Sequence, residues 1–249
     1  MKFLDRNHLK FLIRSWFKRS RPFYSLIFQV TNLCNSQCIT CFNWKTLNKD
    51  TSCELTLREI DKFTKKLGLL QTVTFGGGEP FMRQDLPEIV EIFGRNNKLR
   101  VAAIATNCLN PDRILSMSER ILEKFKGILK IGLSLDGLGE DHDKIRGVPG
   151  NFENFLETYK NLAKLKKKYP GRLRMRICST VFFSKKYPGL NIAKMPELLS
   201  FVAENLKEID SIGFELLRGD FNKEQVRGLA AEEFEPLVEV FKKNKQIRF

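Results

Sequence analysis

Short runs of β-branched and aromatic residues alternate with helical stretches along this chain from about residue 25. The runs predict six strands, at 25–31, 71–75, 101–106, 129–135, 174–182 and 211–217. Nearly continuous apolar runs of this length are typical of parallel strands that are buried on both faces. Repeated strand-plus-helix units favour right-handed crossovers. We therefore expect an α/β fold, a partial (β/α)6 TIM-like barrel of parallel strands with outer helices, with a doubly wound sheet as the alternative.

Capping residues mark where several predicted helices begin. Thr56 and Glu59 have capping-box spacing, Asn110 precedes a first-turn Pro111, and Asn151 is expected to cap the helix that follows it. In either parallel fold, a ligand would bind at the C-terminal ends of the strands. The predicted helices cover 57–67, 84–95, 112–125, 152–168, 195–207 and 231–245.

The composition is that of a globular chain, because 42% of the 249 residues are apolar and 29% are charged. No apolar run approaches the ~20 residues needed to span a bilayer. The apolar run Phe11 to Ile13 is too short for the core of a signal peptide. We therefore expect a cytoplasmic protein with no transmembrane segment. The six cysteines are then better explained as metal ligands or buried thiols than as disulfides.

The net charge of +14 is concentrated in two segments. Residues 1–21 contain seven Lys or Arg and one Asp, and residues 160–176 contain eight Lys or Arg and no acid. Such segments form either solvated faces or surfaces for an acidic partner, which here means a membrane surface, a nucleic acid or a phosphate-bearing molecule.

Segment 1–21 has the pattern of a basic amphipathic helix, separate from a core domain over 22–249. This helix would either pack on the barrel or contact a membrane surface or another acidic partner. Its apolar residues at helical spacing are Leu9, Leu12, Ile13 and Trp16, and its cations are Arg6, Lys10, Arg14 and Lys18.

Three cysteines follow the first predicted strand, since Cys34, Cys38 and Cys41 form a C-x3-C-x2-C run. Three thiols in one short loop suit an iron–sulfur cluster or a zinc ion. Structural zinc normally has four ligands, and both histidines, His8 and His142, lie elsewhere in the sequence. A cubane cluster held by three cysteines would leave one iron open to a small molecule.

Polar turns also follow two later strands. Gly77 and Glu79 lie in a glycine-rich turn after the second strand, where glycines allow the backbone to approach a ligand and the glutamate adds a carboxylate. Ser134 and Asp136 share one face at the end of the fourth strand, where they could hydrogen-bond the hydroxyls of a ribose-like group. Arg146 follows and could meet a carboxylate.

Together these residues resemble the signature of the radical SAM superfamily. The resemblance extends over roughly residues 22–220, and it is nearest to the branch that contains maturases of peptides and cofactors. The matching segments are VTNLCNSQCITCF from Val30 to Phe42, GGEP from Gly77 to Pro80, SLDG from Ser134 to Gly137, and HDKIRG from His142 to Gly147.

The resemblance implies an enzyme whose 4Fe–4S cluster reductively cleaves S-adenosylmethionine (SAM) to a 5′-deoxyadenosyl radical, which abstracts hydrogen from a substrate. It implies that Cys34, Cys38 and Cys41 hold three irons, while the fourth iron binds the amine and carboxylate of SAM. The expected substrate is a peptide or a cofactor precursor, and the expected electron donor is a flavodoxin or a ferredoxin. The implied SAM-binding residues are Gly77, Gly78, Glu79, Asn107, Ser134, Asp136 and Arg146.

The chain departs from the family pattern at Cys108, which follows Asn107 where the family usually has glycine. No cysteine lies beyond Cys178, so we expect no auxiliary-cluster domain in this chain. Cys53, Cys108 and Cys178 have no motif spacing and are expected to be packing residues.

The competing interpretation is a non-catalytic iron–sulfur or zinc protein that binds RNA or another acidic partner through its basic segments. Such a protein would not need the turn Gly77–Glu79 or the pair Ser134 and Asp136. Nucleic-acid binding also favours aromatic residues interleaved with cations, and segment 160–176 contains only Tyr169.

Overall fold

The computed structural model describes residues 24–49, 51–52, 54–187, 191–219, 221, 225–233, 235 and 238. The predicted N-terminal helix over 1–21, Cys53 and most of the predicted helix over 231–245 lie outside the described residues. Within the described part of the chain, no helix combines the length and apolar character needed to cross a membrane.

Six parallel strands form one sheet, in the order β1-β2-β3-β4-β5-β7. Because the strand order follows the chain without reversal, the sheet is that of the predicted partial barrel rather than of a doubly wound fold. A separate antiparallel pair joins β6 to β8. The strands are β1 (Ser25–Thr31), β2 (Thr72–Gly77), β3 (Val101–Thr106), β4 (Ile128–Ser134), β5 (Leu173–Val181), β6 (Phe183–Ser184), β7 (Ser211–Leu216) and β8 (Val226–Arg227).

Helices connect the strands, and two of them begin at the capping residues that the sequence predicts. Thr56 and Glu59 form both bonds of a capping box, and the Asn110 side chain accepts a hydrogen bond from the backbone N–H of Arg113. The helices are α1 (Leu57–Leu67), α2 (Leu86–Asn97), α3 (Pro111–Lys124), α4 (Glu140–Arg146), α5 (Asn151–Lys168) and α6 (Met195–Asn205), with 3-10 turns at Pro80–Met82 and Ile192–Lys194.

Two helix predictions need correction. Gly150 is the N-cap of α5, and Asn151 is its first helical residue, so Asn151 does not cap this helix. Its side chain instead points inward and donates to the backbone carbonyl of Asn107. Helix α4 was not predicted, because it spans seven residues between Gly139 and Gly147 and has no side-chain cap.

The two faces of the sheet have different roles. Phe75, Ile131 and Met175 lie on the face that packs against the helices, and all three are completely buried. The opposite, concave face presents the residues that alternate with them, among them Ser134 and Cys178, which line a cavity at the C-terminal ends of the strands. The sheet therefore separates a helical core from an inner space that opens into this cavity.

The basic segment 160–176 is partly neutralised by acids from neighbouring elements. Lys166 and Arg174 both contact the carboxylate of Asp210, at 3.0 and 2.9 Å. Lys168 contacts Glu119 at 2.5 Å. These ion pairs favour a solvated face over a nucleic-acid surface for this segment.

Candidate functional site

The predicted site residues converge on one cavity at the C-terminal ends of β1 to β4. Of the ten residues predicted, nine line its wall, and Asp136 does not. The nine are Cys34, Cys38, Cys41, Gly77, Gly78, Glu79, Asn107, Ser134 and Arg146.

The loop that carries the cysteines follows β1 and is fixed by backbone hydrogen bonds. The backbone N–H groups of Gln37 and Ile39 donate to the carbonyls of Arg146 and Ile145, at 3.1 and 3.0 Å. At the start of the loop, Asn48 accepts from the backbone N–H of Cys34 through its side-chain oxygen at 2.9 Å. The cysteine loop is therefore attached to the last turn of α4.

The three thiols face the cavity from this loop. Burial raises the pKa of the Cys34 thiol from 9.0 to about 11, and burial also raises the pKa of Cys41. The Ser36 hydroxyl lies 3.1 Å from Sγ of Cys38. Because metals bind the thiolate, a cationic group in the cavity would compensate the cost of burying these charges.

The glycine turn after β2 lies directly against the cysteine loop. The backbone N–H of Gly78 donates to the carbonyl of Thr31, and that of Glu79 donates to the carbonyl of Leu33, both at 2.8 Å. A Cβ at Gly77 would collide with the carbonyl oxygen of Thr31, and one at Gly78 with that of Leu33. The two glycines thus allow two backbones to touch, in addition to the ligand approach that the sequence suggests.

Glu79 joins the end of β2 to the end of β3. Its buried carboxylate accepts hydrogen bonds from the backbone N–H groups of Phe81, at 3.2 Å, and Asn107, at 2.7 Å. Burial raises the pKa of Glu79 from 4.5 to about 7, although both hydrogen bonds oppose this shift. A carboxyl group that titrates near neutral pH at a cavity wall is suited to an amine-bearing ligand.

Hydrogen bonds fix both the side chain and the backbone of Asn107. Its side-chain nitrogen Nδ2 donates to the side-chain oxygen of Asn35 at 2.8 Å and lies 4.0 Å from Sγ of Cys34. Its carbonyl accepts from the side chain of Asn151 at 2.9 Å. Asn35 and Asn151 were not predicted as site residues, because their partners are distant in sequence.

Asp136 lies behind the cavity wall and holds Arg146. Its carboxylate lies 2.8 Å from the Arg146 guanidinium and accepts from the backbone N–H of Thr180 at 2.6 Å. Arg146 in turn reaches to 3.7 Å from Sγ of Cys38. The aspartate therefore places a fixed positive charge beside one of the cavity thiols, and the structure does not place its own carboxylate where it could touch a ribose.

The far wall of the cavity comes from β5 and the end of β7, which sequence reasoning did not assign to the site. Thr180 and Cys178 lie on β5, and Glu215 lies on β7. Arg218 lies over the ring of Phe42, with 5.3 Å between the guanidinium carbon and the ring centroid. Strand alternation could have identified the β5 residues, since they share a face with each other.

Cys108 and Cys178 have different surroundings. Cys108 is completely buried and has a φ of +65°, in the left-handed region that favours glycine. This backbone conformation explains why the family usually has glycine after Asn107. Cys178 lines the cavity, although it is not part of the cysteine loop.

The donor set fits a cubane cluster better than a single metal ion. No group of three His, Cys, Asp or Glu among the described residues is arranged around one ion position. Each thiolate of a cubane binds a different iron, so its ligands need not meet at one point. Three thiols on one wall, with Glu79 and Arg146 beside them, suit a cluster with a small charged ligand.

The comparisons with known proteins agree with this geometry. The family model described as the radical SAM superfamily matches residues 28–202. The chain is 33% identical over 138 residues to Fe-coproporphyrin III synthase from Methanosarcina barkeri, which covers 55% of this chain and 33% of the relative. It is 32% identical over 146 residues to AdoMet-dependent heme synthase from the same organism, covering 56% and 39%. The chain thus spans less than half the length of these curated relatives.

Solved structures share the fold. SuiB from Streptococcus suis bound to S-adenosylmethionine has a TM-score of 0.64 at 18% identity, over 96% of this chain and 53% of that one. The same protein bound to its precursor peptide SuiA has a TM-score of 0.63. At this identity the likeness establishes the partial-barrel architecture.

Proposed function

The chain belongs to the radical SAM superfamily. From this premise we propose that its cavity binds the 4Fe–4S cluster and SAM, and that it directs the abstraction of a hydrogen atom from a substrate. Enzymes of this family use both cofactors. The observation that carries the proposal is the convergence of three loop thiols, the glycine–glutamate turn and Arg146 on one cavity.

In this proposal Cys34, Cys38 and Cys41 would hold three irons of the cluster, because all three thiols line the cavity. The loop needs little rearrangement to do so, because its backbone is hydrogen-bonded to the end of α4. When bound and reduced, the cluster supplies the electron that cleaves SAM to a 5′-deoxyadenosyl radical.

SAM binding falls to the remaining wall residues. Gly77 and Gly78 would offer backbone groups, the Glu79 carboxylate would receive the methionine amine, and Asn107 and Ser134 would offer polar side-chain atoms; all five residues line the cavity. Arg146 provides a cation for the methionine carboxylate or for the Cys38 thiolate. Asp136 acts through Arg146, since its carboxylate is already used by that residue and by the backbone of Thr180.

The protein itself contributes orientation and the exclusion of water. Glu79 and Asp136 are both buried, and each carboxylate accepts a hydrogen bond from a backbone N–H of a neighbouring strand or strand end. Their positions are therefore fixed before a ligand arrives. A rigid wall of this kind would orient a bound cofactor and substrate and would exclude water from the cavity.

Of the two expected substrate classes, a cofactor precursor is favoured over a peptide. The named relatives act in heme synthesis, while a structural neighbour binds a precursor peptide. Reduction would come from a flavodoxin or a ferredoxin, in a cytoplasmic setting. Membership of this family supports an enzyme over the competing interpretation as a non-catalytic protein.

The test is anaerobic reconstitution of the full chain with iron and sulfide, followed by incubation with SAM and dithionite. Formation of 5′-deoxyadenosine, measured by chromatography, is the expected result. A SAM-dependent change in the electron paramagnetic resonance spectrum of the reduced cluster should accompany it. A chain that incorporates a full cluster yet neither changes its spectrum with SAM nor forms 5′-deoxyadenosine would contradict the proposal.

A further inference from the structure

Three cations lie on the concave face of the sheet, below the cavity. Along β5, Arg174, Arg176 and Cys178 alternate with the buried core residues and therefore share this face. Lys130 lies on the same face of β4, where its register partner is Arg174. Since Cys178 lines the cavity, Arg176 occupies the position of this face immediately beneath it, and Arg174 and Lys130 lie one row further down.

The guanidinium of Arg176 is directed toward the cavity. A Cβ at Gly213 would collide with this guanidinium, which therefore lies flat against the Cα of Gly213 on β7. Gly213 is the register partner of Cys178, so the charged end of Arg176 reaches the row of residues that forms the cavity floor. Consistent with this position, its charge acts on the Cys178 thiol. The glycine thus makes room for a cation at the bottom of the cavity.

The charges of Arg176 and Lys130 are not neutralised by the described residues. Neither side chain forms an ion pair or a hydrogen bond there, whereas Arg174 is paired with Asp210 at 2.9 Å. Glu215, an acid at the end of β7 that lines the cavity, already lies 3.5 Å from Arg218. The sequence before residue 24 carries seven cations and one acid, so it offers no acidic stretch as a partner.

The floor beside these cations is made of small residues. Ala105 and Gly132 are neighbours of Arg176 in one register row across β3, β4 and β5. Gly76, on β2, has no atom within 4 Å of the position that a Cβ would take, so space is open above it. Ala105 is exposed, whereas the Cys178 thiol covers Gly132, with Sγ 2.7 Å from the position that a Cβ would take there. A flat molecule can therefore lie over Gly76 and Ala105 with its edge toward Arg176.

We propose that Arg176, assisted by Lys130, is an anion anchor that binds a carboxylate of a small, planar polycarboxylate substrate and so presents that substrate to the cofactor cavity. The inference rests on the proposed function and adds to it the chemical class of the substrate. A guanidinium suits this role because it binds carboxylates in a bidentate manner. Charge complementarity and the flat floor favour a small planar molecule over a peptide.

The experiment measures ligand binding by the full chain with its cluster reconstituted and without reductant. The probe is coproporphyrin III, a planar molecule with several carboxylates, and its binding is followed by absorbance and fluorescence titration. Its carboxamide derivative, which lacks the charges, is the ligand control. The variants are R176Q and K130Q, and R174Q is the matched control because it removes a neighbouring cation that is already paired.

We expect R176Q to weaken coproporphyrin III binding about tenfold to a hundredfold, as for the loss of a charged hydrogen bond, and K130Q to weaken it less. R174Q should bind coproporphyrin III with wild-type affinity. The carboxamide derivative should bind weakly to the wild type and to every variant. Equal affinity of R176Q and R174Q, or equal binding of acid and amide, would overturn the proposal. Tighter binding of a hexaglutamate peptide than of the porphyrin would overturn its small-molecule part.

Failure of the anchor and failure of the proposed function give different results. If wild-type protein forms 5′-deoxyadenosine but binds the polycarboxylate no better than R176Q does, the anchor is wrong and the function stands. If it binds the polycarboxylate in an Arg176-dependent manner but does not cleave SAM, the proposed function is wrong.

Discussion

Nη2 of Arg146 lies 2.8 Å from Oδ2 of Asp136, and both side chains are almost completely buried. The two residues come from different elements, since Asp136 follows β4 and Arg146 ends α4. The pair joins the last turn of α4, on which the cysteine loop is hydrogen-bonded, to the end of the sheet.

Breaking this pair should destabilise the fold. D136N removes the negative charge and leaves the buried Arg146 guanidinium without compensation, which costs about 3–5 kcal/mol. The measurement is urea unfolding of the cluster-free protein. The control is D141N, which breaks the partly exposed pair between Asp141 and Lys194 and should cost less than about 1 kcal/mol. Equal effects of the two substitutions would show that the buried pair has no special role.

Substitution of the loop cysteines should reduce iron binding, whereas substitution of Cys178 should not. C34A, C38A and C41A should each lose the iron–sulfur chromophore or hold it weakly, since each removes one iron ligand. C178A should retain iron and sulfide, although Cys178 lines the same cavity. Iron and sulfide analysis after anaerobic reconstitution checks this. A complete, SAM-responsive cluster in C38A would refute the ligand assignment.

Two neighbouring glycines provide a matched test of the glycine turn. G77A should lose stability and cluster content, because its Cβ would collide with the carbonyl of Thr31 and its φ is +121°. Strain of this kind costs on the order of 1–3 kcal/mol. G76A has open space for its Cβ and should incorporate a full cluster. Thermal unfolding and iron content of the two variants should therefore differ, and indistinguishable behaviour would contradict the close approach.

Glu79 should make the stability of the cluster-free protein depend on pH. Its folded-state pKa, about 7, is raised from 4.5 by burial, so the folded protein binds this proton more tightly than the unfolded chain. Its contribution is therefore fully present below about pH 4.5 and is lost as pH rises through about 7, a change of roughly 3 kcal/mol.

The comparison that isolates this effect is wild type against E79Q, which does not titrate. The unfolding free energy of wild type relative to E79Q should fall between about pH 4.5 and 7 and then remain constant. A difference in unfolding free energy that does not change across this pH window would mean that the pKa of the Glu79 carboxyl is not raised. With the cluster in place, E79Q should also weaken SAM binding about tenfold to a hundredfold.

The left-handed backbone at Cys108 predicts an unusual order of stabilities. C108A loses the buried sulfur but keeps a side chain at φ +65°. C108G loses one more carbon, yet it relieves a conformational cost on the order of 1 kcal/mol. Chemical unfolding should find C108G at least as stable as C108A, against the usual trend for removing buried atoms. Both variants should retain iron, and a much less stable C108G would contradict the explanation.

The fold was largely predictable because its determinants are local. The apolar runs locate every strand of the main sheet within two residues at each end, and the capping box at Thr56 locates the start of α1. Parallel pairing in chain order then follows from the helix-containing crossover between each strand and the next. The exception is α4, since a helix of two turns between glycines leaves little periodicity to detect.

The site was predictable in its membership but not in its contacts. Motif spacing identifies nine of the wall residues, because ligand-binding loops follow consecutive strands. Spacing cannot reveal that Asp136 faces Arg146 or that Asn151 supports Asn107, since these contacts depend on how helices return to the sheet. Arg176 appeared in the sequence only as one cation of a basic segment, although alternation with Met175 and Ile177 places it on the inner face.

The backbone bonds between the cysteine loop and α4 have a consequence for assembly. Most short metal-binding loops are ordered only when the metal arrives, so part of the binding free energy is lost to conformational entropy. Here Gln37 and Ile39 are already hydrogen-bonded to residues 145–146. Much of that entropy is lost during folding of the chain itself, so a pre-organised loop can use more of the binding free energy for affinity. The cluster would then bind to a loop that is already folded, so its insertion would not be coupled to folding of that loop.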